Sequence, residues 1–438
     1  MSEAVDTQRP FWLTGNFAPT FEEVTATELA VTGSIPPELN GRYLRNGSNP
    51  ESGESMHWFL GNGMVHGVEL KDGRANWYRN RYVRTPQLSG TEQVGVDDRA
   101  RSLANTHVIG HAGRILALEE GHWPFELSPT LETVGPYTFD GRLETGMTAH
   151  PKICPETGEL LFFAYGMFPP YMTYHRASAS GELVQSEVIE VKGATMVHDF
   201  NVTRNYVIFM DLPVVWDLQN AARSGLPLRW SDDYGARLGV MPRNGGNADV
   251  VWYDIDPCYV YHPLNAYEDG DDIVIDVCRM ETHMKAGAPD APPRLHRWTI
   301  HQSKGTVSET QVDDRMEEFP RVPDARVGLK HRYGYTAEFA SGLPAAAAFR
   351  KYDMTTGAST AHVLKGGRMG GEPVFVPAAG ASLEDDGYLL SFAYDPAENR
   401  SELVIVDASS MSADPVARVH LPVRVPFGFH GSWVADQA

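Results

Sequence analysis

Hydrophobic residues in this chain fall in short runs of about five to seven, rich in β-branched and aromatic types, rather than at helical spacing. Runs of this kind cover 114–118, 160–165, 206–210, 250–255, 272–277, 388–394 and 402–406, and each predicts a strand. Turn signals separate them: Lys71-Asp72-Gly73, Glu156-Thr157-Gly158, Ser180-Gly181, Glu268-Asp269-Gly270, Thr356-Gly357 and Asp385-Asp386-Gly387. The 41 glycines and 30 prolines are spread among these turns and form no linker. Helical spacing is scarce, and 217–224 is the best short candidate.

Hairpin-linked strands running through 438 residues without a linker make an all-β protein too long for one sandwich. Two architectures answer to that pattern, a β-propeller, which repeats four-stranded blades around an axis, and a pair of β-domains. No strict repeat decides between them. At 42% hydrophobic residues the chain can bury a large core. With 57 acidic against 37 basic side chains it lacks the cationic footprint that nucleic acid or an anionic membrane requires. The three cysteines, Cys154, Cys258 and Cys278, have no CxxC spacing and cannot all pair, which disfavours a disulfide framework or a thiolate zinc site. The opening residues have no basic and apolar leader, and no apolar stretch approaches about 18 residues, so a cytoplasmic location is expected.

Four of the 16 histidines stand in distinctive contexts: His150 in Met-Thr-Ala-His-Pro-Lys, His198 in Met-Val-His-Asp-Phe, His262 in Tyr-His-Pro-Leu-Asn-Ala-Tyr-Glu and His430 in Phe-Gly-Phe-His-Gly-Ser-Trp. A lone histidine is more often a hydrogen-bonded structural residue than a ligand, and the other twelve are read that way. Neutral imidazole is nonetheless the commonest protein ligand for first-row metals. Spacings of 48, 64 and 168 residues cannot place four histidines on one helix, but blades that converge on an axis can bring them together.

Longer motifs agree in order and context with a known family. They are Gly33-Ser34-Ile35-Pro36-Pro37-Glu38-Leu39-Asn40-Gly41-Arg42-Tyr43-Leu44-Arg45-Asn46-Gly47-Ser48-Asn49-Pro50, His57-Trp58-Phe59-Leu60-Gly61-Asn62-Gly63-Met64-Val65-His66, Glu318-Phe319-Pro320-Arg321 and Glu372-Pro373-Val374-Phe375-Val376-Pro377. With the four histidines, they resemble the carotenoid cleavage oxygenases, and bacterial carotenoid and apocarotenoid cleavers most closely. The resemblance implies a seven-bladed β-propeller spanning 1–438, strapped by residues 1 to about 30 and capped by loops and short helices over an axial metal. It implies Fe(II) held by His150, His198, His262 and His430, three of them oriented by Glu120, Glu318 and Glu372, with O2 as co-substrate. Thr106 aligns with a position whose methyl group crowds one open iron site. The reaction implied is oxidative cleavage of a carbon–carbon double bond of an apolar conjugated alkene, giving two carbonyl products.

Chemistry gives these residues an independent rationale. A carboxylate that accepts the second N–H of a ligating imidazole fixes its tautomer and raises its basicity, and carboxylates near the ion offset its charge. Outside such motifs a surface charge is the default reading, and it is the one expected for Glu119, Glu126 and Glu317. Relatives that cleave stilbenes or phenylpropenes hold the phenolic oxygen with a Lys directly before the first of these glutamates and with an upstream Tyr. This chain has Glu119 there, and 95–104 contains no Tyr. That departure favours a carotenoid or apocarotenoid over a hydroxystilbene, because a carboxylate repels a phenolate. A smaller aryl alkene is the alternative substrate, retinoid ester isomerisation or hydrolysis the alternative reaction, and a non-catalytic polyene-binding propeller the alternative class. Two apolar runs, Val214, Val215, Trp216, Leu226, Leu228 and Trp230, and Phe168 to Met172, are expected to line the tunnel or pack against the cap, with weak peripheral membrane contact as the other reading.

Overall fold

The strands organise the chain into blades set around an axis, as seen in a computed structural model that describes residues 9–89, 97–340, 342–411 and 414–436. Four blades are simple four-stranded antiparallel meanders, with inner strands His107–His111, Lys152–Ile153, Asn201–Val202 and Tyr259–Asp269. Ten further strands form one continuous sheet, because the short segment Met369–Gly370 pairs with Ala346 on one side and with Ala393 and Tyr394 on the other. On either side of that bridge stands a blade, one opening on Glu317–Arg321 and one on Val374–Pro377. A five-stranded sheet completes the ring of seven blades.

Burial explains the sequence pattern blade by blade. Leu160–Tyr165, a middle strand covered on both faces, is buried from Leu160 to Ala164 and reads as an unbroken apolar run, whereas the outer strand Leu183–Val188 alternates. Neighbouring blades interlock through such residues: counting the five-stranded sheet as the first blade, Ile208 and Leu238 of the fourth, which opens on Asn201–Val202, share a core with Ile275 and Trp298 of the fifth, which opens on Tyr259–Asp269. Each Ile or Leu so buried contributes about 1.5–3 kcal/mol.

Both ends of the chain close the ring. Gly431–Ala435 pairs in register with Gly41–Arg45 as the inner strand of the first blade, and Val31–Gly33 adds to the outer edge of the seventh. Thr25–Ala26 lies on the outer edge of the first blade, and the Arg424 guanidinium donates to the carbonyls of Ala18 (2.9 Å) and Pro19 (3.1 Å). Residues 1–8 of the expected strap lie outside the described residues.

The cap is built partly from a hairpin inserted in the fourth blade, Val214–Trp216 with Leu228–Trp230. At its tip are a 3-10 turn, Leu218–Asn220, and the short helix Ala221–Ser224, where helical spacing was expected. Asp217 Oδ1 accepts the Gln219 N–H at 3.0 Å, and Gly225, with φ 79°, ends the helix in the left-handed region. Val214, Leu226, Leu228 and Trp230 are buried here and form no exposed patch. The second run differs: Met172 is buried, whereas Phe168 is 71% exposed and Pro169 and Pro170 are exposed beside it at a hairpin tip. No helix among the described residues is long and apolar enough to cross a membrane.

Candidate metal centre and active site

Seven blades give seven places where an inner strand begins near the axis, and the residues there are the ones that sequence singled out. His430 precedes the inner strand of the first blade, Thr106 that of the second, His150 the third and His198 the fourth, while His262 lies near the start of the fifth. Glu318 and Glu372 take the equivalent places in the sixth and seventh. Glu120 comes from the end of the second strand of the second blade.

His150, His198, His262 and His430 are all buried, and one ring nitrogen of each lies within 4.8 Å of the others. Nε2 of His198 is 3.0 Å from Nε2 of both His150 and His262. On the far side of the rings, His262 Nδ1 donates to Glu318 Oε2 at 2.5 Å and His430 Nδ1 to Glu372 Oε1 at 3.0 Å, while His198 Nδ1 meets Glu120. Those contacts place the proton of three rings on Nδ1, so their Nε2 lone pairs point at one another, an arrangement that is repulsive unless a cation takes the centre. Burial, reinforced by the neighbouring histidines, holds His150 and His430 well below the ordinary imidazole value and lowers His262 to about 3, which keeps them neutral as metal ligands must be. His198 moves upward: burial opposes its charge, but Glu120 outweighs it. The donor set therefore fits a divalent first-row ion.

The carboxylates are anchored in turn. Glu318 Oε2 also accepts the Phe319 N–H at 2.5 Å, and burial raises its pKa to about 8. Phe319 has φ 50°, a left-handed conformation that costs a bulky residue about 1–2 kcal/mol. Its ring stacks on His262 (centroids 5.5 Å, interplanar angle 26°) and meets His430 edge-on (5.3 Å). Glu372 takes the Gly431 N–H at 2.9 Å, and Tyr165 donates its hydroxyl to Glu120. The Thr106 hydroxyl donates to Asn105 Oδ1 at 2.9 Å, and its carbonyl accepts the His430 N–H at 3.0 Å.

Two groups at the centre were not foreseen. Asp199 Oδ2 lies 3.7 Å from Nδ1 of His150, the one ring without a glutamate, and its Oδ1 pairs with Lys152 at 2.8 Å. The signal was present as an acidic residue directly after one candidate ligand and a lysine two places after another. His107, buried and lowered to about 3 by that burial, has Nδ1 2.8 Å from the Ala149 carbonyl and its ring 5.2 Å from that of His430. Two expected surface charges are corrected: burial inside a blade takes Glu317 out of water beside Arg350 (3.2 Å), and Glu119 is folded into the wall of the site. The Glu119 carboxylate accepts the N–H groups of Gly121 (2.7 Å) and Leu103 (3.0 Å) and meets His122 Nδ1 at 2.8 Å. Glu126 forms an ion pair with Arg114 at 2.7 Å. Gly95 and Val96 of the Tyr-free stretch lie outside the described residues.

Two chambers meet at the histidines. On the cap side is an apolar cavity of about 790 Å³, walled by Phe59, Trp216, Leu228, Phe339 and Phe429 and reaching Thr106, Glu120 and His198. That volume suits a sizeable organic ligand. Along the axis beyond the histidines is a chamber of about 460 Å³ of mixed lining, whose charged and polar groups are Lys152, Asp199, Asn201, Arg321 and Glu372 among others.

Comparison with known proteins agrees with this geometry. A family profile described as "Retinal pigment epithelial membrane protein" matches residues 17–435. The chain is 41% identical to a carotenoid cleavage oxygenase of Mycobacterium tuberculosis, over 99% of each chain, and 33% identical to a carotenoid 9,10(9',10')-cleavage dioxygenase of Crocus sativus, over 97% of this chain and 89% of that one. The solved lignostilbene dioxygenase of Pseudomonas brassicacearum superposes with a TM-score of 0.88 at 29% identity, covering 98% of this chain and 99% of its own. With this fold, these seven inner-strand positions and relatives along nearly its whole length, the chain belongs to the carotenoid cleavage oxygenase family.

Proposed function

We propose that this protein is an Fe(II)-dependent dioxygenase that cleaves a carbon–carbon double bond of a carotenoid or apocarotenoid to two carbonyl products, with the chain 1–438 acting as one catalytic unit. The observation that carries this reading is the convergence of one ring nitrogen from each of four histidines, three of them backed by carboxylates, at the floor of an apolar cavity. Bound there, a ferrous ion would supply the electrons that activate O2. The chain's own residues do the rest. His150, His198, His262 and His430 would hold the ion and leave room for O2 and substrate on the cavity side, where the Thr106 side chain would narrow the approach. Glu120, Glu318 and Glu372 fix the tautomers and offset the ion's charge. Phe59, Trp216, Leu228 and Phe429 hold a polyene by apolar contact and exclude water.

The alternative substrate, a stilbene or phenylpropene, is less well served. Its phenolate would meet Glu119, whose carboxylate is kept anionic against the effect of burial by His122 and two backbone N–H groups. A cytoplasmic location fits three free, buried cysteines, and the exposed tip at Phe168, Pro169 and Pro170 is the point through which weak peripheral membrane contact would occur.

The test is incubation of Fe(II)-loaded protein with 18O2 and an apocarotenal, with products identified by mass. A pair of carbonyl products that depends on iron and carries the label is expected. Products that form without O2 would replace cleavage by isomerisation or hydrolysis. Failure of the protein to bind any metal would leave a polyene carrier.

A further inference from the structure

Tyr261 lies beside the ligand His262 on the inner strand of the fifth blade, and its ring meets that of His198 edge-on, with centroids 4.8 Å apart. Its hydroxyl is 2.6 Å from Nε2 of His283, a buried residue whose ring stacks on Tyr259. Asp290 Oδ2 lies 3.1 Å from Nδ1 of the same His283, and the Asp290 carboxylate is held by the Met284 N–H at 2.7 Å. These three residues form a polar line in the wall of a largely apolar site, and the histidine cluster does not use it.

The line stands where two cavities join. Tyr261 and Asp290 border both the apolar cavity and a second one of about 680 Å³, which is lined by His57, Asp217, Asn220, Arg229 and Lys285. An elongated molecule lying along the apolar cavity would therefore bring one end to a less apolar antechamber with Tyr261 at the threshold.

The order of partners decides what Tyr261 can offer. A carboxylate at Nδ1 of His283 draws the ring proton to that nitrogen, which leaves Nε2 as an acceptor. The Tyr261 proton is then committed to Nε2, and the phenol oxygen is left with lone pairs and nothing to donate. A carbonyl or ether brought to that oxygen finds no partner, whereas a hydroxyl does. Sites built to hydrogen-bond a hydroxyl discriminate strongly against analogues that lack one.

We propose that Tyr261, oriented by His283 and Asp290, is a specificity-determining residue that accepts a hydrogen bond from a hydroxyl group near one end of the alkene substrate. This rests on the alkene-cleaving reading and narrows it to hydroxyl-bearing substrates. The shared chemistry is the hydroxyl donor, which a ring-hydroxylated apocarotenoid or a hydroxystilbene could supply.

Two substrate pairs test it on the iron-loaded protein: an apocarotenal with and without a ring hydroxyl, and a stilbene bearing either a hydroxyl or a methoxy group. KM and kcat are measured for each, together with Kd from the absorbance shift of the polyene or stilbene. The hydroxylated member of one pair is expected to show a KM and Kd about tenfold lower, with a much smaller effect on kcat, and the pair that responds identifies the source. In Tyr261→Phe the ratio should fall to within about twofold, and in Asp290→Asn, which releases the His283 tautomer, it should shrink part of the way. Metal content and melting temperature of each variant exclude a folding defect. Equal KM and Kd within both pairs, or a preference that survives Tyr261→Phe, would overturn the proposal. If no substrate is cleaved, the cleavage reading fails, and the Kd ratios still decide the role of Tyr261.

Discussion

Glu318 shows how much one side chain does at this centre: a single oxygen accepts both His262 Nδ1 and the Phe319 N–H, and no cationic side chain pairs with it among the described residues. Burial alone disfavours its charge, raising its pKa to about 8, and a divalent ion one imidazole away would favour the ionised form. Glu318→Gln keeps the shape and loses the charge, so metal affinity should fall about 10–100-fold, read by competition with a chelator, while the melting temperature of the metal-free protein stays level or rises. A different residue-scale effect comes from His175, stacked on Phe162 and held between Thr145 and Ser186 at 2.9 Å each. Burial lowers its pKa from 6.5 to about 4. Because the folded value is below the unfolded one, the unfolded chain takes up the proton first, and stability is lost as pH falls from 6.5 towards about 4. The midpoint of urea unfolding should drop across that window, and His175→Phe should flatten the slope.

Among elements, the segment leading into the inner strand Gly431–Ala435 is closely constrained by neighbouring backbone. A Cβ on Gly428 would come within 2.8 Å of the Asn46 carbonyl oxygen and 3.0 Å of the Gly47 Cα, and both neighbours are backbone. Gly428→Ala must push the segment outward, which should cost about 1–3 kcal/mol in chemical denaturation and, by shifting His430 two residues on, weaken metal binding measurably. Elements of this kind also mark how far the sequence could be read. The runs 114–118 and 160–165 coincide with strands Arg114–Leu118 and Leu160–Tyr165, because middle strands buried on both faces leave a continuous apolar signature. Inner strands such as Lys152–Ile153 and Asn201–Val202 have only two residues each and leave none. The site was legible where a motif surrounds the residue, as at Glu318 and Glu372. At Asp199 and Tyr261 the only signal was their place beside His198 and His262, and at His107 there was none, because their surroundings come from blades that meet only in three dimensions. Glu119 and Glu317 misled for the same reason: a carboxylate looks solvated until its distant donors, Leu103 or Arg350, are in place.

At the scale of the whole molecule, an ion held by the four histidines would be thermodynamically linked to the fold. The four ligands belong to four different blades, so an ion that binds only the assembled ring stabilises it by about 2.7 kcal/mol at a hundredfold excess over Kd. Titrating metal-free protein with Co(II), which an all-imidazole site accepts, should raise the melting temperature with one-to-one saturation. His430→Ala should abolish most of that rise. The same ring closure sets an order in time. His150, His198 and His262 are synthesised with their blades well before His430, which leads into the segment that pairs back with Gly41–Arg45. A nascent chain can therefore gather three imidazoles but not the fourth, so an oxygen-reactive ion of the kind proposed would gain its full set of ligands only once the ring had closed around it.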